Sequence, residues 1–190
     1  VFYILIIAYK KDINTKVIQL TKEDMGIRSV ARILKISTTA LLKIIIAIAN
    51  NIGQSLIPYY QTYELDEMRF FIGGKSNVMW LVYDINKSTH EIAGFYIGRR
   101  NSKTLNSVVK TLITPKAKKN YPDKLRNYQY LISKEIHSTK RYGTNRIERK
   151  NLSIRTHVKR LNRKTICFSR NILILNSILK IYFWIERKNL

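Results

Sequence analysis

The sequence predicts an α/β (α+β) fold: a mixed sheet with flanking helices in three layers, preceded by a small helical module. Three observations predict it. Apolar residues up to about position 50 recur at helical spacing. From Thr62 the pattern switches to strict alternation. Three strands in succession then lead into an amphipathic helix. An apolar content of 45% can fill a core in a chain of 190 residues, which excludes wholesale disorder.

The helical module is read first. Asp12–Thr21 places Ile13, Val17, Ile18 and Leu20 near helical spacing. Ser29–Leu34 sets Val30, Ile33 and Leu34 on one side, with Ala31 small enough for a close helix crossing. Ser37 or Thr38 offers an N-cap for a third helix through Ile48. Together Met25–Ile45 reads as a helix-turn-helix, with Thr38, Thr39 and Lys43 on the candidate recognition helix. An ordinary three-helix cap has the same spacing. Lys35 occupies a turn position that Gly would fill more easily.

The sheet follows. Met68, Phe70 and Ile72 alternate on one face, with Glu67 and Arg69 on the other, as in a half-buried strand. Met79–Ile85 and Ile92–Ile97 are two more strands, joined by the polar loop Asn86–Glu91. Ser102 is expected to cap a helix through Ile113, with Leu105, Val108, Val109 and Leu112 on its apolar stripe. After Pro115 come a basic stretch, an extended Asn120–Asp123 and a short helix to Ile132. A long basic helix, Asn145–Leu161, carries Ile147, Ile154, Val158 and Leu161 on one face. An apolar helix, Asn171–Trp184, is the last element.

Charge narrows the function. The 35 Lys and Arg against 12 Asp and Glu give a net charge of +23, and +16 of it lies after Ile113. Such a balance points to a polyanion, nucleic acid before an anionic membrane surface. The apolar runs Val1–Tyr9 and Ala40–Ala49 are too short, or broken by Lys43, to span a bilayer. The chain is therefore expected to be soluble and cytoplasmic, with no membrane partner. Cys167 is the only cysteine, which excludes an intramolecular disulfide and a multi-Cys zinc ribbon. His137, His157 and Cys167 show no metal-ligand spacing.

With 12 acidic residues, elimination is informative. Asp12, Glu23 and Asp24 read as helix-end or solvated residues, Asp84 and Glu91 as turn chemistry, Glu135 beside Lys134 as a surface residue and Glu186 as part of the tail. Glu64, Asp66, Glu67, Asp123 and Glu148 remain. Asp66 shares the buried face of Met68, Phe70 and Ile72, where a carboxylate needs a cationic partner or a metal. Glu64 lies on that face too and is an alternative ligand. Asp123 precedes a helix, where an N-cap is the simpler role. Glu148 stands two turns before Arg155, with Lys159 one turn further; a solvated charged face reads the same way. Carboxylates gathered from two strands and a helix could bind two divalent ions for phosphoryl chemistry.

Longer motifs carry a resemblance. Residues 145–170, NRIERKNLSIRTHVKRLNRKTICFSR, closely resemble the C-terminal signature of transposases of the insertion-sequence-one family. YELDEM (63–68) resembles that family's first catalytic strand, and residues 78–105 its following hairpin and helix. STKRYGTNRIERKN (138–151) resembles the approach to its last acidic residue, and MGIRSVARILKIS (25–37) its helix-turn-helix. The resemblance covers roughly residues 12–184.

It implies a ribonuclease-H-like domain with an Asp-Asp-Glu site, mapped onto Asp66, Asp123 and Glu148 as catalytic and metal-binding residues. The cofactor implied is Mg²⁺ or Mn²⁺. The implied activity is metal-dependent cleavage at transposon ends and strand transfer into target DNA. The implied partners are double-stranded DNA, as terminal inverted repeats and target, and a second copy in a homodimer on DNA. Expected DNA contacts are Arg149, Lys150, Arg155, Lys159, Arg160, Arg163 and Lys164 beside Glu148, and Thr38, Thr39 and Lys43 on the recognition helix. The division expected is an apolar N-terminal remnant outside the family (1–11), a helix-turn-helix DNA-binding module (12–50), a catalytic domain (60–166) and a C-terminal helix packing on the catalytic domain (167–190).

Two departures qualify the resemblance. In full-length members a zinc ribbon precedes the helix-turn-helix. Its Cys residues are absent, so no zinc ribbon is present in this chain, which reads as an N-terminally truncated copy. The family also reads Thr-Asp-Gly around the second carboxylate, where this chain has Pro122-Asp123-Lys124. An ion pair from Lys124 to Asp123 would compete with metal. The alternative reading is a catalytically inactive remnant acting only as a DNA-binding protein or an inhibitor of transposition.

Overall fold

Residues 2–53, 59–113, 117–122, 130–132, 138, 144–162 and 168–185 are described in a computed structural model, with side chains described from Asp12 onward. Asp123, Arg163, Lys164, His137, Cys167 and the Leu112 side chain lie outside the described residues. The chain divides into two units, a helical one (1–53 with 171–190) and a sheet-bearing one (54–170).

The helical unit contains α1 (Phe2–Lys22), α2 (Ile27–Ile33), α3 (Thr38–Asn51) and, from the far end of the chain, a helix at Ile172–Trp184. The backbone of the apolar run at the N-terminus continues into one helix through Lys22. α2 and α3 meet at 102°, a helix-turn-helix angle. Ser37, rather than Thr38, caps α3: its hydroxyl accepts from the Ala40 N–H at 3.1 Å. No single helix among the described residues is long and apolar enough to cross a membrane.

Two helix ends explain the sharp turns. After α1, the Met25 N–H donates to Leu20 O and the Asp24 N–H to Thr21 O, with Asp24 at φ 52°. After α2, the Ile36 N–H donates to Ala31 O and the Lys35 N–H to Arg32 O, with Lys35 at φ 54°. Each is a Schellman closure built on a left-handed residue that is not Gly, satisfying carbonyls the helix would leave open.

The sheet unit contains β1 (Thr62–Ile72), β2 (Gly74–Asn86), β3 (Ile92–Gly98), α4 (Ser102–Ile113), β4 (Lys119–Pro122), α5 (Asn145–His157) and a 3₁₀ turn, Lys159–Leu161. The Ile172–Trp184 helix is then α6. Strand order is β3-β2-β1-β4, antiparallel except for β4, which runs parallel to β1. This mixed sheet with flanking helices is the α+β arrangement that the sequence predicts. One face packs Tyr63, Leu65, Val82 and Ala93 against Leu105, Val108 and Val109 of α4. The face bearing Glu64 and Asp66 receives α5. Because both faces are covered, β1 is buried nearly throughout.

Four expectations are corrected. Asn101, not Ser102, caps α4, accepting from the Thr104 N–H at 2.9 Å. Glu67 is not solvated: it is buried and pairs with Arg100 at 3.1 Å. The long basic helix ends at His157, because Val158 leaves helical geometry at φ −118°, ψ 82°; Lys159 therefore sits beyond the helix that carries Glu148. Finally, α6 is part of the helical unit. Its Ile178 and Ile181 join Val17, Val30, Leu41, Ile45 and Ile48 in the helical core. The buried Lys22 ammonium also donates to the Ile185 carbonyl, placing a cation at the C-terminal end of α6.

Left-handed backbone at a β-carbon-bearing residue is unfavourable by about 1 kcal/mol. Lys35→Gly should therefore raise stability by roughly 0.5–1 kcal/mol, read as a higher urea midpoint at unchanged slope. A lower midpoint would show that Lys35 stabilises the turn in another way.

Candidate active site

The site is built where α5 meets β1 and β2. Glu64 is fully buried on β1, and its Oε2 accepts the N–H groups of Ile147 at 2.8 Å and Arg146 at 3.0 Å, in the first turn of α5. A carboxylate there satisfies two open helix donors and lies at the positive end of the helix dipole. Lys87 Nζ lies 3.5 Å from Oε1 and 4.3 Å from the Tyr121 ring, compensating the buried charge. Glu64, left open as a ligand by the sequence, is thus committed to docking α5.

Asp66 is two residues further along the same face and half-buried. It pairs in register with Tyr83 of β2. Its Oδ1 accepts the Glu67 N–H at 2.7 Å, and its Oδ2 accepts from Asn151 Nδ2 on α5. The Tyr83 hydroxyl donates to Asn151 Oδ1 at 2.8 Å, which turns the amide so that its NH₂ group faces the Asp66 carboxylate. It also lies 3.3 Å from the Ile147 carbonyl. Burial raises the Tyr83 pKa far above its ordinary value. Asp66 and Glu64 push the same way, and Arg155 opposes them. Tyr83 therefore stays a neutral donor at all working pH values. Tyr63, on the opposite face, is pushed up to about 12, by burial first and Asp84 second.

Glu148 is exposed in the first turn of α5, where the Thr144 hydroxyl donates to its Oε1 at 3.1 Å. Asn151 lies three residues on and Arg155 seven residues on, so all three share one side of α5. The structure thus brings Glu148 and Arg155 to the helix flank that holds Asp66. On the sheet, Pro122 pairs with Leu65, the neighbour of Asp66. The next residue in the chain is Asp123, outside the described residues, as are Arg163 and Lys164. Arg160 and Lys159 sit in the 3₁₀ turn. Arg149 and Lys150 lie on another flank of α5, and burial lowers the Lys150 pKa. In the helical unit Thr38, Thr39 and Lys43 are all exposed on α3.

Asn151 and Tyr83 are the residues that sequence reasoning missed. Asn151 had a signal, its i+3 spacing from Glu148. Tyr83 had none without the β1–β2 register.

Comparisons with known proteins bear on this geometry. A family model described as IS1 transposase matches residues 61–189. The chain is 38% identical over 111 residues to the insertion element iso-IS1n protein InsB of Shigella dysenteriae, covering 58% of this chain and 85% of the relative. It is 28% identical over 123 residues to the insertion element IS1 protein InsB of Shigella flexneri, covering 65% and 94%. A protein of this fold and kinship falls in the class of transposases, enzymes that cut and recombine DNA. The chain belongs to the IS1 transposase family.

Removing a buried carboxylate that holds two helix donors and a lysine should be costly. Glu64→Ala is expected to destabilise the sheet unit by about 3 kcal/mol or more, and Glu64→Gln by about 1–2 kcal/mol, measured by urea unfolding. A near-neutral Glu64→Ala would refute its role in docking α5. Alkaline pH supplies a second check. Tyr83 and Tyr63 have raised pKa values when folded. The stability this gives is complete below about pH 10 and is lost as pH rises through the folded pKa. Phenolate absorbance from Tyr63 should appear only near pH 12, and that from Tyr83 only as the unit unfolds.

Proposed function

We propose that this chain acts as a metal-dependent DNA transposase, cleaving at transposon ends and joining the freed end to target DNA, with Asp66, Asp123 and Glu148 as its catalytic carboxylates. One observation carries the reading: Asp66 is fixed on β1 by Asn151, one turn along α5 from the exposed Glu148.

The donors suit a hard divalent ion such as Mg²⁺ or Mn²⁺, since all three residues offer carboxylate oxygens. The Asp66 oxygens accept the Glu67 N–H and the Asn151 amide, neutral donors that orient the carboxylate without neutralising it. Among the described residues no group of three acidic, His or Cys side chains is gathered; Asp123, which follows Pro122 directly, is outside them. When bound, such ions activate the attacking oxygen and stabilise charge on the leaving oxygen.

The chain's own groups do the rest. Tyr83 and Asn151 form a neutral relay that sets the orientation of the Asp66 carboxylate and spends no net charge beside it. Arg155 brings a cation to the flank where a phosphate would approach Glu148 and Asp66. The exposed Thr38, Thr39 and Lys43 of α3 read the terminal repeats in the major groove. Cleavage and joining of two ends suit a homodimer on DNA.

The assay is nicking of duplex DNA carrying the cognate ends, with Mg²⁺ or Mn²⁺. Asp66→Asn and Glu148→Ala should each lower the rate by at least about a hundredfold, the scale on which transition-state electrostatics act. Asn151→Ala and Tyr83→Phe should lower it by about tenfold, with Asn151→Asp worse than Asn151→Ala because it sets like charges together. If wild type nicks no faster than Glu148→Ala, the protein is a DNA-binding remnant or an inhibitor of transposition, the reading that Lys124 beside Asp123 favours.

A further inference from the structure

The flank of α5 turned away from Asp66 carries a second feature. A cavity of about 530 Å³ opens there, lined by Arg146, Arg149, Lys150, Ser153 and Asn145 of α5 with His90 and Ile85 from the β2–β3 hairpin. At 100° per residue, Arg146, Arg149 and Ser153 fall on the side of α5 opposite Glu148, Asn151 and Arg155. Three cations therefore share one wall, and among the described residues no acidic side chain lines the cavity.

Among the described residues none of Arg146, Arg149 and Lys150 makes an ion pair. The buried Glu64 carboxylate faces the α5 backbone and Lys87. Like charges spaced three and four residues apart on a helix are mutually unfavourable, and an anion in the groove relieves this. His90 is held over the wall by a left-handed backbone at φ 63°. Asn145 and Ser153 add neutral donors. Several cations, neutral donors and no acid make a surface for phosphodiester oxygens.

We infer that this groove binds the backbone phosphates of a DNA segment other than the one presented to Asp66 and Glu148, so that α5 lies between two stretches of nucleic acid. The inference rests on DNA as the substrate, not on the identity of the catalytic carboxylates. A polyphosphate-bearing small molecule or an acidic protein segment would use similar charges. DNA is favoured because the wall runs for two turns along α5, Asn145 to Ser153, longer than a single phosphate needs.

The test is binding of a fluorescent 30-base-pair duplex, read by anisotropy across a salt series in chelator, so that neither metal nor cleavage enters. The triple variant Arg146→Ala/Arg149→Ala/Lys150→Ala should flatten the log K against log salt slope by about two to three. The equally charged control Lys75→Ala/Lys103→Ala/Lys110→Ala, exposed elsewhere on the sheet unit, should leave the slope within about one half. Ser153→Glu, which removes no cation, should weaken binding at least about fivefold. Thermal melts of all three should match wild type, and Arg149→Ala alone, expected to lower the slope by about one, replaces the triple variant if that unfolds. An unchanged slope in the groove variants, or an equal fall in the control, overturns the inference. A groove-dependent slope in a protein that never nicks refutes the proposed chemistry and leaves the groove standing; the reverse refutes the groove alone.

Discussion

The contact on which the sheet unit depends is a carboxylate under a helix. Glu64 is removed from water on β1 and takes two N–H groups from the first turn of α5. A buried ionised group is tolerable only when its acceptor sites are filled and its charge is answered. The α5 donors fill Oε2, and the helix dipole and Lys87, 3.5 Å from Oε1, answer the charge. In return, the N-terminus of α5 is fixed against the strand to within a hydrogen bond. Every side chain of α5 then has a determined place. Ile147 and Ile154 enter the core, Asn151 reaches Asp66, and Glu148 and Arg155 are aimed along one flank.

This division of labour explains why three acidic residues close together on β1 end in different states. Glu64 is spent on structure and Glu67 on a pair with Arg100. Asp66 accepts a backbone N–H and the Asn151 amide, and is half-exposed. Neutral hydrogen bonds orient a carboxylate without neutralising it, so it keeps the charge a divalent ion or a phosphate-bound cation would seek. The basic character of the chain is then not a uniform coat. One part flanks the carboxylates at Arg155, and another lines the far side of the same helix.

Much of this was legible in the sequence. Alternation found the strands, the polar interval found the hairpin, and the helical spacing with a cap at Ser37 or Thr38 found α2 and α3. Asp66 stood out by its face, and the motif around residues 138–170 supplied the mapping of Glu148. The failures have physical causes. Alternation takes one face of a strand to be solvated, so it put Glu67 in water; a strand covered on both sides breaks that premise. It could not tell Glu64 from Asp66, because which carboxylate meets a helix N-terminus depends on docking, not on pattern. Tyr83 is found only once register sets it opposite Asp66. α6 is apolar on most of its surface, so its sequence fits any partner. Its place in the helical core follows from Ile178, Ile181 and the Lys22 cap on its end, contacts spanning most of the chain length.

The central claim is that Asp66 and Glu148 face one ion-binding site across α5 and β1. Crystals grown with Mn²⁺ and measured at its absorption edge address it directly. The account predicts an anomalous peak at coordination distance, about 2.1 Å, from carboxylate oxygens of both residues, lost in crystals of Asp66→Asn. A fully ordered site with no peak there, or a peak bound by Glu64 instead, would contradict it.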